Sequence, residues 1–85
     1  MSDKPGYHLK SIKKGTIGEL SKIREEIEEL EDANQQGVKI MELVELSDLY
    51  GSIELYLEKH FPNIKMEDLK KMSDVTQRAF KNGRR

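Results

Sequence analysis

The sequence predicts an all-α protein: a helical hairpin followed by a third helix, closing into a multi-helix bundle by self-association. Three observations carry that prediction. Apolar residues recur at spacings of three and four in three successive runs, the signature of amphipathic helices. The runs are separated by Gln35-Gln36-Gly37 and by Phe61-Pro62, both poor places to continue a helix. The middle run is apolar around nearly its whole circumference, and a chain of 85 residues has too little else to cover it.

Residues 1–15 contain Pro5, Gly6 and Gly15, show no clear period, and read as a flexible basic arm or loosely docked loop. The helical domain is expected over 16–85. Thr16-Ile17-Gly18-Glu19 has the S/T-x-x-E form of a capping box, so Thr16 is expected to cap the first helix and Glu19 to reach back. Ile17, Leu20, Ile23, Ile27 and Leu30 then form one apolar stripe, and Gly37 is placed to close the helix in the left-handed conformation. The second helix is expected over 38–59, with Ile40, Met41, Leu43, Val44, Leu46, Leu49, Tyr50, Ile53, Leu55, Tyr56 and Leu57 spread around it. A third, over 66–81, carries Leu69, Met72, Thr76, Ala79 and Phe80 on one side and stops at Asn82-Gly83.

Composition narrows the function classes. There is no Cys, which removes disulfides and thiolate metal sites. The first residues lack the apolar core of a signal peptide, and no run of about 18 apolar residues spans a membrane. A cytoplasmic protein without membrane contact is the expectation. The net charge of −1 conceals an acidic centre between basic ends, with Lys4, Lys10, Lys13 and Lys14 before it and Lys81, Arg84 and Arg85 after it. That pattern suits a site holding a cation and, through it, a polyphosphate; a set of solvated helix faces would look similar.

Two acidic stretches sharpen the choice. Glu25-Glu26-Ile27-Glu28-Glu29 and Glu45-Leu46-Ser47-Asp48 each put two carboxylates three residues apart, Glu26/Glu29 and Glu45/Asp48, on one helix face. The pairs are nearly equidistant from Gln35-Gln36-Gly37, roughly 12 to 14 Å along each helix at 1.5 Å per residue, so an antiparallel hairpin brings them level. Glu45 and Asp48 also sit among Met41, Val44, Leu46 and Leu49, where an unpaired charge costs several kcal/mol to bury. A divalent cation is one partner for them; Arg24 or Lys22 from the neighbouring helix is the structural alternative, and Glu42/Glu45 is a second way to pair the acids. Oxygen-only ligands select Mg²⁺, Mn²⁺ or Ca²⁺. Neither His8 nor His60 follows a Glu by three residues, which sets aside a di-iron bundle; His8 reads as a loop residue and His60 as a helix-end residue favoured by the dipole. No glycine-rich phosphate loop and no nucleophile-base arrangement is present.

Glu25-Glu26-x-x-Glu29, fifteen intervening residues, and Glu45-x-x-Asp48 resemble the EExxE…ExxD signature of the MazG-like nucleoside triphosphate pyrophosphohydrolases. Glu45-Leu46-Ser47-Asp48-Leu49-Tyr50 is similar to the family's E-L-G-D-L segment, with Ser47 for Gly, and Arg78 to Arg85 to the basic ending of its small members. The resemblance covers roughly residues 17–85. It implies an oligomeric all-α bundle, a homodimer or homotetramer, that uses Mg²⁺, with Mn²⁺ as a substitute. It implies cleavage of an NTP or dNTP to the monophosphate and pyrophosphate. Carried onto this chain, the metal ligands are Glu26, Glu29, Glu45 and Asp48. Glu25 and Glu29 are the catalytic candidates, Glu25 by orienting or deprotonating the attacking water or by helping to hold a further metal. Lys22, Lys71, Arg78 and Lys81 are the candidate phosphate contacts. The chain departs from the family at Val75 and Met41, where a basic residue is common. Tyr50, Tyr56 and Phe80 are aromatic candidates for a base pocket, though aromatics at helical spacing more often belong to a core.

Two rival readings come from other classes. One is a non-catalytic helical oligomer or interaction module whose acidic cluster is solvated or binds a structural cation. The other is a nucleic-acid-binding hairpin using the basic tail, for which the overall charge is unfavourable.

Overall fold

The computed structural model describes residues 8–81; Lys4 of the arm, and Asn82, Gly83, Arg84 and Arg85 of the basic ending, lie outside them. Among the described residues there are three helices and no strand: α1 (Leu20–Gln36), α2 (Lys39–His60) and α3 (Met66–Lys81). Gly37 closes α1 as expected, at φ 74° and with its N–H donating to the Asn34 carbonyl at 3.1 Å. α2 ends at His60, and Phe61, held out of helical geometry by the following Pro62, is its C-cap. The start of α3 is fastened by Asp68, whose carboxylate accepts from the Lys65 N–H at 2.9 Å.

α1 and α2 pack antiparallel. Near the turn Asn34 donates to Glu42 at 2.8 Å, and at the far end Glu19 pairs with Lys59 and the His60 ring meets the Gly18 carbonyl at 3.1 Å. α3 packs extensively against neither. The radius of gyration is 15.3 Å, where about 12 Å is usual for a compact chain of this length.

Two expectations are corrected. The capping box at Thr16 does not form: α1 begins at Leu20, its N-cap is Glu19, and neither Thr16 nor Glu19 makes a side-chain cap. Gly18, at φ 86°, turns the chain just before the helix, so the Glu19 carboxylate swings to Lys59 and His60 on α2. Ser21 instead accepts the Thr16 N–H at 2.9 Å. The apolar stripe of α1 also lines the hairpin interior only in part, with Ile23 and Leu30 half-buried. Ile17, Leu20 and Ile27 stand exposed, whereas Glu25, Glu26, Asp32 and Ala33 are buried. Successive helix positions are about 100° apart, so the face that turns Glu26 and Glu29 inward carries Ile27 outward, while Ile23 and Leu30, three residues before and four after Glu26, stay half-buried at its edge.

α2 repeats this inversion. Its buried residues are Glu45, Ser52 and Leu57, while Ile40 is 66% exposed and Leu43 61% exposed. Within one chain the hairpin interior therefore buries carboxylates and Ser52 beside Ala33 and Leu57, while many large apolar side chains stand exposed among the charged ones. Such a surface is far from the ordinary scattering of single exposed apolar residues.

Candidate metal centre

The four acids singled out by spacing do converge. One carboxylate oxygen from each of Glu26, Glu29, Glu45 and Asp48 lies within 4.8 Å of the others, so the set could hold a metal ion. Two of these side chains come from α1 and two from α2. Their levels match because the pairs sit at equal distances from the Gly37 turn. Glu45 is 1% exposed and Glu26 5%, Glu29 is half-buried, and Asp48 opens to solvent. The cluster therefore has a buried floor and one open side. On the floor, Glu26 Oε1 is buried with no hydrogen-bond partner among the described residues. A buried carboxylate oxygen without a donor carries a desolvation penalty, and a cation relieves it.

Further side chains border the cluster. Lys22 lies 3.1 Å from both Glu25 and Glu26, one turn along α1, and is the basic candidate that stands at the site. Burial depresses its ammonium, but the two carboxylates outweigh burial and raise its pKa overall. Arg24, the alternative partner proposed by spacing, is exposed and has no ion pair among the described residues with Glu45 or Asp48. Glu42 faces Asn34 and Lys39 instead of the cluster. Lys71, Arg78 and Lys81 are all on α3, which does not dock on the hairpin, so one chain does not gather them at the carboxylates.

The protonation states of the acids diverge. Glu25 is raised by burial but more strongly lowered by the Gly15 N–H at 2.9 Å and by Lys22, and stays below the usual carboxylate range. Glu29 is pushed up to about 8 by burial, then by Glu25, Glu26 and Glu45 crowding it. The consequence for stability has a definite sign. A carboxyl whose folded pKa lies above its unfolded 4.5 stabilises the fold most when protonated in both states, and that stability is lost as pH rises towards about 8. The lowered pKa values of Glu25 and Asp32 act oppositely, and their stabilisation disappears only as pH falls below the carboxylate range. Metal-free protein is thus expected to melt at a lower temperature at pH 8.5 than at pH 5.5, with a divalent cation closing the gap. Thermal melts with EDTA and with metal at both pH values check this.

The N-terminal segment brings two residues to the site that spacing did not mark. His8, expected as a plain loop residue, is buried. Its Nε2 is 3.8 Å from Glu29 and its Nδ1 3.6 Å from Asp32. Asp32 is buried too, and accepts from the Leu9 and Lys10 N–H groups and from Gln36. Burial raises the Asp32 pKa, but these donors outweigh it and hold the carboxyl below its usual value. Residues 8–15 are therefore tied along α1 by hydrogen bonds to Asp32 and Glu25 and by the buried Ile12. No periodicity marks such a segment, because its contacts are backbone N–H groups meeting carboxylates.

Gly15 lets this segment approach. A Cβ there would stand 2.3 Å from the Ser21 carbonyl oxygen and 2.5 Å from the Lys22 nitrogen, both backbone atoms. Gly15→Ala is expected to push the loop off α1, release its N–H from Glu25 and cost about 1–3 kcal/mol, the usual scale for overpacking. Urea unfolding measures that loss.

No protein-family model, curated protein or solved structure matches the chain.

Proposed function

We propose that the chain is a Mg²⁺-dependent nucleoside triphosphate pyrophosphohydrolase of the MazG-like kind, active as a homo-oligomer. The observation that carries the reading is the convergence of Glu26, Glu29, Glu45 and Asp48, with the orphaned Glu26 oxygen on its floor. Acyl transfer and nucleophilic catalysis by the protein have no counterpart in the sequence, whereas phosphoryl transfer needs chiefly positioning and charge stabilisation. Carboxylates alone repel a triphosphate. Mg²⁺ held by the four acids supplies the missing positive charge and lowers the pKa of bound water.

The chain's own residues divide the rest of the work. Glu26 and Glu45 form the buried floor, and Asp48 faces the solvent side from which the phosphates enter. Glu25, held ionised by Gly15 and Lys22, accepts a hydrogen bond from the attacking water; its lowered pKa suits orienting that water better than removing its proton. Glu29, with the raised pKa, is the group that exchanges a proton for the cation. Lys22, 3.1 Å from both Glu25 and Glu26, keeps Glu25 ionised and places a positive charge beside the phosphates. Lys71, Arg78 and Lys81 join them when α3 folds over the hairpin or when a second copy presents its own.

A second copy is part of the proposal. The exposed apolar residues Ile40, Leu43, Leu46 and Tyr50 on α2 suit burial against the same surface of a twin chain, as a homodimer or homotetramer. No helix of the described residues is long and apolar enough to cross a membrane, so this surface does not read as a membrane span.

The deciding experiment is pyrophosphate release from a panel of NTPs and dNTPs with Mg²⁺, with and without EDTA. Metal-dependent release identifies the enzyme and its substrate class. Silence across the panel from folded, oligomeric protein transfers the reading to a non-catalytic helical module.

A further inference from the structure

The carboxylate floor has a second set of donors. His8, Glu29 and Glu45 each offer one ligand atom, and these three atoms also lie within 4.8 Å of one another. Three donors about 2.1 Å from one ion stand roughly 3.4–3.6 Å apart, so side-chain movements of up to about an ångström close the set on an ion. Glu29 and Glu45 belong to both groups, so His8 adds a nitrogen donor next to the four carboxylates.

The arrangement behind His8 makes the imidazole more than a neighbour of the acids. Asp32 Oδ1 faces Nδ1 at 3.6 Å, and Asp32 is itself fixed by the Leu9 and Lys10 N–H groups. At 3.6 Å this is a charge contact beyond hydrogen-bond length, and the nearby negative charge favours the tautomer with the proton on Nδ1 and the lone pair on the other nitrogen. That other nitrogen is Nε2, which points at Glu29.

We propose that His8 Nε2, Glu29 and Glu45 form a second cation position beside the four-carboxylate one. Its nitrogen donor selects a first-row transition ion such as Zn²⁺ or Mn²⁺ over Mg²⁺. This rests on the metal-centre reading above and extends it: the N-terminal segment supplies a ligand, and the centre is dinuclear with mixed preference. An imidazole adds affinity for Zn²⁺ and little for Mg²⁺, which keeps oxygen ligands and water.

The test is titration of the whole chain with Zn²⁺ and separately with Mg²⁺, following the imidazole ¹⁵N resonances of His8 and His60 and counting bound ions by equilibrium dialysis. The expected result is a metal-bound shift of His8 Nε2 with Zn²⁺ and none with Mg²⁺, with two Zn²⁺ per chain. His8→Gln is expected to retain one Zn²⁺, weaken total Zn²⁺ binding about 10–100-fold or more, and leave the Mg²⁺ affinity within about twofold. The wild-type spectrum does not depend on whether the variant folds. An unshifted His8 beside bound Zn²⁺, a shift at His60 instead, or two Zn²⁺ retained by folded His8→Gln each overturns the second position while the carboxylate centre stands. Absence of any bound ion overturns both.

Discussion

Glu45→Gln and Asp48→Asn are each expected to lower metal-dependent pyrophosphate release by 10²–10³-fold or more, the scale of losing one charge-stabilising group from a reaction centre. Glu45 is the more severe of the two, because it is 1% exposed and contributes to both groups of donors. Replacing its carboxylate with an amide removes a negative ligand from a position that water cannot refill. Stability separates this role from a structural one. If Glu45 serves a cation, the metal-free variant at pH 8 relieves repulsion with Glu29 and melts at or above the wild-type temperature. If Glu45 is there to complete an internal ion pair, the same variant melts lower, because breaking such a pair strands the other charge. Helicity by circular dichroism, thermal melts with EDTA, and initial rates with Mg²⁺ together decide the matter.

If the chain self-associates through α2 as proposed, Leu43→Glu is expected to dissociate it. Burying a Leu side chain is worth about 1.5–3 kcal/mol, and a charge placed in an apolar contact adds a desolvation cost. At about 1.4 kcal/mol per factor of ten, the subunit dissociation constant rises at least 10–100-fold. Leu43 is 61% exposed within the chain, so the substitution leaves the hairpin interior untouched and a folded monomer is a sensible product. Light scattering at micromolar concentration reads the outcome. A wild-type monomer under those conditions would mean that the apolar surface of α2 is not a self-association surface. An oligomer unaffected by Leu43→Glu would place the contact elsewhere, with Leu20 and Ile27 on α1 as the next residues to substitute.

The local structure was largely legible in the chain. α3 runs from Met66 to Lys81 as its apolar spacing requires, and α2 is displaced by one residue at each end from the expected 38–59. Gly37 and Pro62 mark the breaks because their backbone chemistry acts locally, whatever packs around them. The convergence of Glu26 and Glu29 with Glu45 and Asp48 was legible for a related reason: a short turn between two helices of known rise fixes which levels meet. Spacing alone determined that much.

The direction in which the helices roll was a matter for the tertiary structure. The stripe of Ile17, Leu20, Ile23, Ile27 and Leu30 is as regular as a helix period allows, yet only Ile23 and Leu30, which flank Glu26, are half-buried, because a hairpin that turns Glu26, Glu29 and Glu45 inward leaves Ile17, Leu20 and Ile27 outside. Thr16 lost its cap to the left-handed turn at Gly18, which sends Glu19 to Lys59 and His60. His8 and Asp32 met only through docking of an aperiodic segment whose backbone N–H groups found a buried carboxylate. Helix spans and the level of each acid follow from short-range geometry and are written in the sequence. Which face is buried, and which distant residue completes the site, depends on contacts between segments far apart in the chain, and only the folded structure decides them.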